Sequence, residues 1–370
     1  MNRYLKSYQV VMRTEGPVFV GSGRDIGKKE YIWMQNRVGI PDMNGLFREM
    51  VRRKKQAAFE DYLLGYSNLE LTDWLRRENI RVNELQPLLR YTLDYGSLTE
   101  GKREEYQVKE CIKDAYGKPY IPGSTLKGMF RTILLGADIL EHPEKYRNAK
   151  DKLRLNSDRD MNRSLYLQKD TKEIEGIFYR VLTRDKEKPD NAVNDILQGL
   201  VVSDSEPLPV DRLALCQKID VHRNGNEKRI PILRECIKPG TEIRFLITVD
   251  TSVCDVTAES LLAAVKAFMT CYYNKFSVMF KDWIKVPNVK QVFCGGGCGF
   301  VSKTIIYPMY GKKDGIEVAQ KIFEKTKVPV SHKHNKDKEF GVSPHVIKCT
   351  RYQGQLYQMG LCTIQKIEPM

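Results

Sequence analysis

A short glycine-rich segment around residue 297 is the sharpest candidate for chemistry in this 370-residue sequence. Glycines remove side chains where a backbone could approach a phosphate or a sugar, and successive N–H groups in such a turn can bind an anion. The glycines are Gly295, Gly296, Gly297 and Gly299. Lys303 follows them, and residues 300–338 hold nine lysines against four acidic residues. We predict that this loop contacts a phosphate or a sugar, while the same composition also suits a flexible linker or a tight hairpin.

A second candidate is the start of a helix that follows Pro122. A helix N-terminus attracts phosphate, and Ser124, Lys127 and Arg131 all fall within its first turns. Lys127 and Arg131 are four residues apart, so they share one face of that helix. We predict that these three side chains contact phosphates. The alternative is an ordinary helix capped by Ser124 or Thr125, with its basic residues in solvent.

A third candidate is segment 21–29, whose composition predicts a flexible turn that could wrap a nucleic-acid backbone. Its candidate nucleic-acid-binding residues are Gly21, Gly23, Arg24 and Lys28. Arg13, at the end of the first predicted strand, belongs to the same candidate set. A plain surface turn is the alternative for this segment.

Support for catalysis is thin. The sequence has five histidines, and none of them lies in a motif that pairs it with a nucleophile. They are His142, His222, His332, His334 and His345. Asp25 and Asp42 could each orient a ribose hydroxyl, although a solvated or capping aspartate is the default interpretation. We therefore expect no catalytic residue.

Support for a metal is equally thin. Cys294 and Cys298 could form half of a zinc site with His345 or Cys349, but no second cysteine pair at a fixed spacing accompanies them. The nine cysteines are scattered, which is typical of free thiols in a reducing compartment. We expect neither a metal nor another cofactor.

The overall charge indicates an anionic partner. Lysine and arginine total 61 against 47 aspartates and glutamates, which gives a formal net charge of +14. Nucleic acid is the first candidate for such a protein, because clustered cations release counterions from phosphates. No apolar run approaches the roughly 20 residues that span a bilayer, and the first residues lack a secretory signal. We expect a cytoplasmic protein that does not engage membranes.

The elements that must position these residues predict an α+β protein. In the first half, a strand is predicted over 8–13, helices over 44–89, a helix after Pro122, and an exposed charged insertion over 141–190. The second half begins with a hairpin of strands 213–220 and 230–237 around Asn224-Gly225. A strand over 241–249 and a long helix capped by Asp255 or Thr257 follow.

Three segments, taken in order, carry a family resemblance. They are Ile-Pro-Gly-Ser-Thr-Leu-Lys-Gly-Met-Phe-Arg at 121–131, the strand block 230–247 with its Pro-Gly-Thr turn, and Gly-Gly-Gly-Cys-Gly-Phe-Val-Ser-Lys-Thr at 295–304. Together they resemble the RAMP superfamily of CRISPR proteins. The best match is the Csm-type subunit that ends the backbone filament of type III-A effector complexes, at the 3′ end of the guide RNA.

The resemblance implies two ferredoxin-like, RRM-related domains with helical insertions, here residues 1–205 and 206–370. It implies partners too: CRISPR guide RNA, target RNA in the assembled complex, and neighbouring RAMP backbone subunits. In the related repeating backbone subunit an aspartate of an early loop cuts target RNA. Asp25 is its positional counterpart here, but its surroundings differ and the capping subunit is not implied to cut.

Three functions remain open at this point, and one of them is a small-subunit-like protein that binds DNA directly. The leading hypothesis is a non-catalytic RNA-binding and assembly subunit that supports guide maturation in antiviral defence. The alternative is a metal-independent endoribonuclease that processes CRISPR precursor RNA, since that RAMP branch also carries a C-terminal glycine-rich loop. Against the alternative, the first 141 residues contain no histidine, where that branch usually has its catalytic one.

Overall fold

The computed structural model describes residues 4–65, 68–95, 107–158, 163–325 and 334–370. The described strands are β1 (Leu5–Thr14), β2 (Gly21–Ile26), β3 (Ile32–Trp33), β4 (Arg37–Pro41), β5 (Leu89–Asp94), β6 (Gln107–Cys111), β7 (Leu200–Val202), β8 (Leu213–His222), β9 (Glu227–Ile237), β10 (Glu242–Asp250), β11 (Gln291–Phe293), β12 (Val346–Tyr352), β13 (Gln355–Gln358) and β14 (Leu361–Pro369). The described helices are α1 (Met43–Arg52), α2 (Gln56–Leu64), α3 (Leu71–Arg77), α4 (Gly123–Glu141), α5 (Arg147–Asp158), α6 (Arg163–Tyr179), α7 (Ala258–Lys275), α8 (Ile306–Tyr310), α9 (Lys313–Glu324) and α10 (Asp337–Phe340).

The first sheet is built from strands that are far apart in the sequence. Its order is β11-β14-β1-β10-β7, and all neighbours are antiparallel. In chain order its main elements are β1, α4, β7, β10, α7 and β14, which is the β-α-β-β-α-β arrangement of a ferredoxin-like unit. The predicted α+β class is confirmed.

The second sheet has the order β2-β6-β9-β8-β5-β4-β3, and β12 and β13 extend it from β8. The predicted hairpin is confirmed as β8 and β9, which pair antiparallel around the turn at Gly225. Strands from both sides of residue 205 enter both sheets. The division into 1–205 and 206–370 stays a prediction, and the sheets do not follow it.

Two long helices, α4 and α7, pack against each other in the main core. In α4 the apolar positions Leu126, Phe130 and Ile133 recur at helical spacing and are buried, as the sequence predicts. A Cβ atom at Gly136 would lie 2.6 Å from Phe268 Cδ2 of α7, so glycine at this position permits the close approach. The start of α7 is confirmed too, since Thr257 caps it.

The helices over 44–89 are confirmed, and they form a lobe with its own apolar core. Helices α1, α2 and α3 bury a cluster that includes Leu46, Phe59 and Trp74 against Ile32 of β3. The rings of Phe59 and Trp74 lie 5.0 Å apart between centroids. This packing holds β3 and β4, and thus one end of the second sheet, in place.

The prediction of an exposed insertion over 141–190 is wrong for its first part. This region contains α5 and α6, and its few large apolar side chains enter the main core. Tyr146, Ile174 and Tyr179 are each no more than 2% exposed. The dense charge of the segment reflects the solvent faces of the two helices, so composition alone concealed the buried face.

Candidate nucleic-acid interface

The glycine loop follows β11 and is clamped between two other backbone segments. Cys294 N donates to Gly360 O at 2.8 Å, and Gly296 N donates to Phe19 O at 2.6 Å. Gly295 has a φ of +79°, and a Cβ atom there would lie 2.3 Å from Phe19 O. The loop is therefore a packed connection and not a linker. One N–H group of the predicted anion-binding turn, that of Gly296, is already used within the fold.

The far end of the loop lies against basic side chains of the second sheet. A Cβ atom at Gly297 would be 2.9 Å from Arg234 Nη1 on β9. A Cβ atom at Gly299 would be 3.4 Å from Lys348 Cγ on β12. Because these two positions carry no side chain, Arg234 and Lys348 can lie directly beside the loop backbone.

Lys218 of β8 adds a third cation to this face. Lys218 lies at the register shift of the β8–β9 ladder, and its charge interacts with those of Arg234 and Lys348, so it lies close to both. Burial lowers the pKa of Lys218, and the nearby charges of Lys348 and Arg234 lower it further, while Asp220 opposes the shift. We call the glycine loop together with Lys218, Arg234 and Lys348 the basic loop face.

Asp220 offsets part of this charge. Its Oδ2 atom accepts a hydrogen bond from Lys348 Nζ at 2.8 Å. Lys218 and Arg234 add two further positive charges to the same face, so the face is cationic as a whole. A cationic face beside a side-chain-free loop suits the phosphate backbone of a nucleic acid.

Phe19 gives the basic loop face an aromatic ring. The Arg234 guanidinium lies 5.5 Å from the centroid of this ring, within the range of a cation–π contact. A Cβ atom at Gly21 would lie 3.0 Å from Phe19 Cζ, so glycine at the start of β2 leaves room for the ring. The predicted site residue Gly21 is thereby joined to the glycine loop through Phe19.

The predicted flexible turn over 21–29 is wrong for most of its length. Residues Gly21–Ile26 form β2, which pairs antiparallel with β6 and contains an irregularity between Gly21 and Asp25. Gly23 lies in that irregularity with a φ of +90° and open space around its Cβ position. This strand lacks the alternation of apolar and polar residues that marks a half-buried strand in a sequence, because most of its residues are small or polar.

The two predicted basic residues of this segment already have partners. The Arg24 Nη2 group donates to Glu30 Oε1 at 2.5 Å, and this bond raises the pKa of Arg24. Lys28 Nζ donates to Asn68 Oδ1 at 3.4 Å. Their contact with RNA stays a prediction.

The start of α4 faces the carboxylate of Asp204, an exposed residue of the same chain. Gly123 N donates to Asp204 Oδ1 at 2.8 Å, and Ser124 lies exposed in the first turn. The prediction that Ser124 or Thr125 caps this helix is wrong, since neither makes a side-chain cap bond. A phosphate at this helix end would meet the negative charge of Asp204.

Arg131 is enclosed by the fold. Its guanidinium donates to Asp195 Oδ2 at 2.7 Å and to Glu175 Oε2 at 2.9 Å, and it lies 4.1 Å from the ring centroid of Tyr179. Burial lowers the pKa of neighbouring Lys127, while Asp195 opposes this shift. A phosphate would have to displace these carboxylates from Arg131, so its predicted RNA contact stays a prediction.

The remaining predicted residues lie on different parts of the chain. Arg13 is exposed near the end of β1, opposite Glu242 in the first sheet. Lys303 follows the glycine loop, and its Nζ donates to Phe293 O at 3.5 Å. The structure thus brings Gly21, the glycine loop and Lys303 to one region, and it leaves Arg13 and the α4 residues on the first sheet and its helices.

The two aspartates considered for ribose binding have structural partners. Asp25 Oδ2 accepts from Lys109 Nζ at 2.7 Å and from Gln107 Nε2 at 2.5 Å. Asp42 caps α1, because its Oδ1 accepts from Asn44 N at 3.1 Å. The capping interpretation is confirmed for Asp42.

The cysteines near the loop are packed within the fold. Cys294 and Cys298 are both buried, and burial raises the pKa of Cys294 to about 12. The Cys298 thiol donates to Cys294 O at 3.3 Å. Among the described residues, the cluster of three side chains placed to hold a metal ion includes neither of these cysteines.

Lys218, Arg234 and Lys348 are the residues that sequence reasoning missed. Their signal was present, because Lys218 and Arg234 lie in the two strands of the predicted hairpin. Placing them on one face requires the ladder register, which contains a shift between Gln217 and Ile219. Their proximity to the glycine loop comes from long-range packing.

A model of the RAMP superfamily matches residues 11–261 of the chain. Among curated proteins, the chain is 29% identical to the CRISPR system Cms protein Csm5 of Mycobacterium tuberculosis, in an alignment that covers 98% of each chain. It is 28% identical to the Csm5 protein of Streptococcus thermophilus, which covers 85% of this chain and 84% of that protein.

Solved structures share the fold at lower identity. A chain in the cryo-EM structure of a Csm-crRNA-target RNA ternary complex of a type III-A CRISPR-Cas system superposes with a TM-score of 0.62 at 19% identity, covering 97% of this chain and 100% of that one. The crystal structure of T.onnurineus Csm5 gives a TM-score of 0.63 at 16% identity, with 96% and 100% covered. Among the described helices, none is long and apolar enough to cross a membrane.

Proposed function

The chain belongs to the RAMP superfamily, and from this premise we propose that it is an RNA-binding subunit of a type III-A CRISPR effector complex. Its partners in this proposal are the guide RNA, the target RNA of the assembled complex, and neighbouring Csm subunits. The curated relatives named Csm5 support this assignment, because their alignments extend over most or nearly all of the chain. The shared fold agrees with it.

The basic loop face is the observation that carries the RNA-binding part of the proposal. Arg234 and Lys348 flank a loop whose glycines at 297 and 299 let both cationic side chains lie against its backbone. Cations of this kind bind phosphates without reading sequence, which suits a subunit that must accept guides of any spacer sequence. The ring of Phe19 beside Arg234 offers a base or a ribose an apolar surface.

We place the chain at the end of the backbone filament, at the 3′ end of the guide RNA. This position is what the resemblance to the capping subunit implies. A capping subunit has to bind one terminal stretch of guide and one backbone neighbour, and it needs no surface for a further repeat of itself. Its loss should therefore change the guide end and the filament end and leave the interior intact.

We propose that the subunit does not cut RNA. The carboxylate of Asp25, the counterpart of the catalytic aspartate in the related backbone subunit, is engaged by Lys109 and Gln107. The first histidine in the sequence is His142, which pairs with Asp138 on α4. Both observations favour an assembly role over general acid-base cleavage.

A salt series of RNA binding tests the site. The full chain and the double variant Arg234→Ala/Lys348→Ala are titrated with a guide-length single-stranded RNA at several salt concentrations. We expect weaker binding for the variant and a salt slope reduced by about 0.7 per lost phosphate contact. Lys266→Ala, an exposed lysine of α7, is the matched control and should bind as the parent does. An unchanged slope in the double variant would refute the basic loop face as the RNA site.

Reconstitution tests the place in the complex. Effector complexes are assembled with and without the chain, and the length of the bound guide RNA is read at its 3′ end. We expect complexes that lack the chain to hold guides with altered 3′ ends and to have a shorter or heterogeneous backbone. Guides of unchanged length in complexes of unchanged composition would contradict the capping role.

A further inference from the structure

Asp337 is a fully buried carboxylate that lies between two imidazoles. Its side chain is 0% exposed, and it lies in the short helix α10. His334 Nδ1 lies 3.2 Å from Asp337 Oδ1 and 3.1 Å from Asp337 Oδ2. His345 Nδ1 lies even closer to Asp337 Oδ1. One ligand atom from each of the three residues falls within 4.8 Å of the other two.

One oxygen of this carboxylate is not satisfied by hydrogen bonding. Asp337 Oδ2 is buried and makes no hydrogen bond, although His334 Nδ1 is 3.1 Å away. A buried anionic oxygen is costly unless a proton donor or a cation meets it. A cation at this point would meet this carboxylate together with a ring nitrogen of His334 and one of His345.

Aromatic side chains pack against the two imidazoles. The His334 ring lies 4.3 Å from the ring of Phe323, and the His345 ring lies 5.3 Å from the ring of Phe340, measured between centroids. These aromatic rings shield the imidazoles and restrict their orientation. A small cavity borders His334 and lies next to Pro344 and Val346, on either side of His345 in the sequence.

We propose that His334, Asp337 and His345 bind a divalent transition-metal ion of the Zn²⁺ type. Two imidazole nitrogens and one carboxylate are ligands that such an ion prefers, and water would complete a tetrahedron. The ion joins α10 to the start of β12, the strand that carries Lys348 of the basic loop face. This proposal departs from the expectation of no metal, and it uses none of the cysteines considered there.

The sequence could not reveal this site. His334 and His345 are 11 residues apart, and the intervening Asp337 lies on a helix of four residues. No common zinc motif has this spacing, so the set becomes visible when α10 turns the three side chains toward one point.

X-ray absorption on the unaltered protein is the primary test. The full chain is stripped with a chelator, titrated with Zn²⁺ alone, and the bound ion is measured at the zinc edge. We expect one equivalent, with nitrogen and oxygen neighbours at about 2.0–2.1 Å and no sulfur at about 2.3 Å. Absence of stoichiometric binding, or a shell that contains sulfur, overturns the proposal. This measurement needs no variant and so does not depend on how a variant folds.

Calorimetric titration of variants then tests the ligands. His345→Ala and Asp337→Asn should each weaken Zn²⁺ binding by more than the about 10–100-fold that loss of an outer-shell partner costs. His142→Ala is the matched control, since it removes an imidazole that also contacts an aspartate, Asp138. Binding that persists at parental affinity in both ligand variants overturns the proposal.

Discussion

Gly297 lies directly against Arg234. A Cβ atom at this glycine would come 2.9 Å from Arg234 Nη1 and 3.2 Å from Arg234 Cζ, and Gly297 has a φ of +79°. The glycine loop and the Arg234 guanidinium of β9 therefore pack directly against each other. Any side chain at 297 must move the guanidinium, and with it the charge that we place against RNA.

Gly297→Ala should reduce RNA affinity more than it reduces stability. The positive φ costs an L-residue about 1–2 kcal/mol, and the methyl group displaces the flexible end of Arg234. We expect a modest decrease in the free energy of unfolding and a clear loss of RNA affinity, measured by denaturation and by titration in the same buffer. Gly176→Ala in α6, where the added Cβ meets no atom within 4 Å, is the control: it should keep the RNA affinity and raise the stability by up to about 1 kcal/mol, since alanine is the better helix former. A large fall in stability with unchanged affinity would make the loop a purely structural turn.

Arg131→Ala should mainly destabilise the fold. The variant leaves Glu175 and Asp195 without the cation that binds both, and hydrogen bonds to charged groups contribute about 1.5–3 kcal/mol. We expect a loss of about 2 kcal/mol in urea denaturation, read as a shift of the midpoint at constant slope.

The control for this variant is Arg244→Ala. Arg244 pairs with Glu242 at 2.6 Å, but its side chain is 50% exposed, so its removal should cost at most about 1 kcal/mol. The salt slope of RNA binding is measured on both variants. A reduced slope for Arg131→Ala would support the predicted phosphate contact, and an unchanged slope would leave Arg131 with its structural role.

The helices were more predictable than the sheets, because helix signals are local. The apolar face of α4 and the cap of α7 at Thr257 lie within one segment each. The partners of β1 lie far away in the sequence, since Val10 pairs with Phe245 on one side and with Ile367 on the other. A period-2 pattern tells which face of a strand is buried, and it does not tell which distant strand lies beside it.

The candidate site was predicted in part for the same reason. The glycine loop is visible as composition, whereas Arg234 and Lys348 belong to the site through sheet register and packing. Isolated charges were harder to interpret. Arg131 and Arg24 look available for phosphate in the sequence. In the fold, Arg131 pairs with the distant Asp195 and Arg24 pairs with the nearby Glu30.

His222 should make stability depend on pH. Burial lowers the pKa of this imidazole, and His345, Lys228 and Lys348 lower it further while Asp220 opposes them. Below the ordinary pKa of about 6.5 the unfolded chain therefore takes up a proton that the folded chain does not. The free energy of unfolding should decrease as the pH falls below that value, down to the lowered folded-state pKa.

His222→Gln should flatten this dependence. Unfolding free energies are measured from pH 5 to 7.5 with a chelator present, so that metal binding does not contribute. The exposed His142→Gln serves as the control for removal of an imidazole elsewhere in the chain. A parental slope in His222→Gln would show that other groups set the pH dependence.

Asp25→Ala should leave RNA cleavage by the assembled complex unchanged. The Asp25 carboxylate is held by Lys109 and Gln107 at the surface, so its loss should also change stability by no more than about 0.5–1 kcal/mol. The measurements are the rate and the positions of target-RNA cleavage by reconstituted complexes, and the products of the isolated chain with repeat RNA in the absence of metal.

Asp42→Ala is the matched control: it removes the cap of α1 and should cost about 1 kcal/mol of stability with the same cleavage pattern. Loss of a specific cleavage band in Asp25→Ala but not in Asp42→Ala would assign Asp25 a catalytic role and contradict the assembly function. A discrete cut of repeat RNA by the isolated chain would contradict it as well.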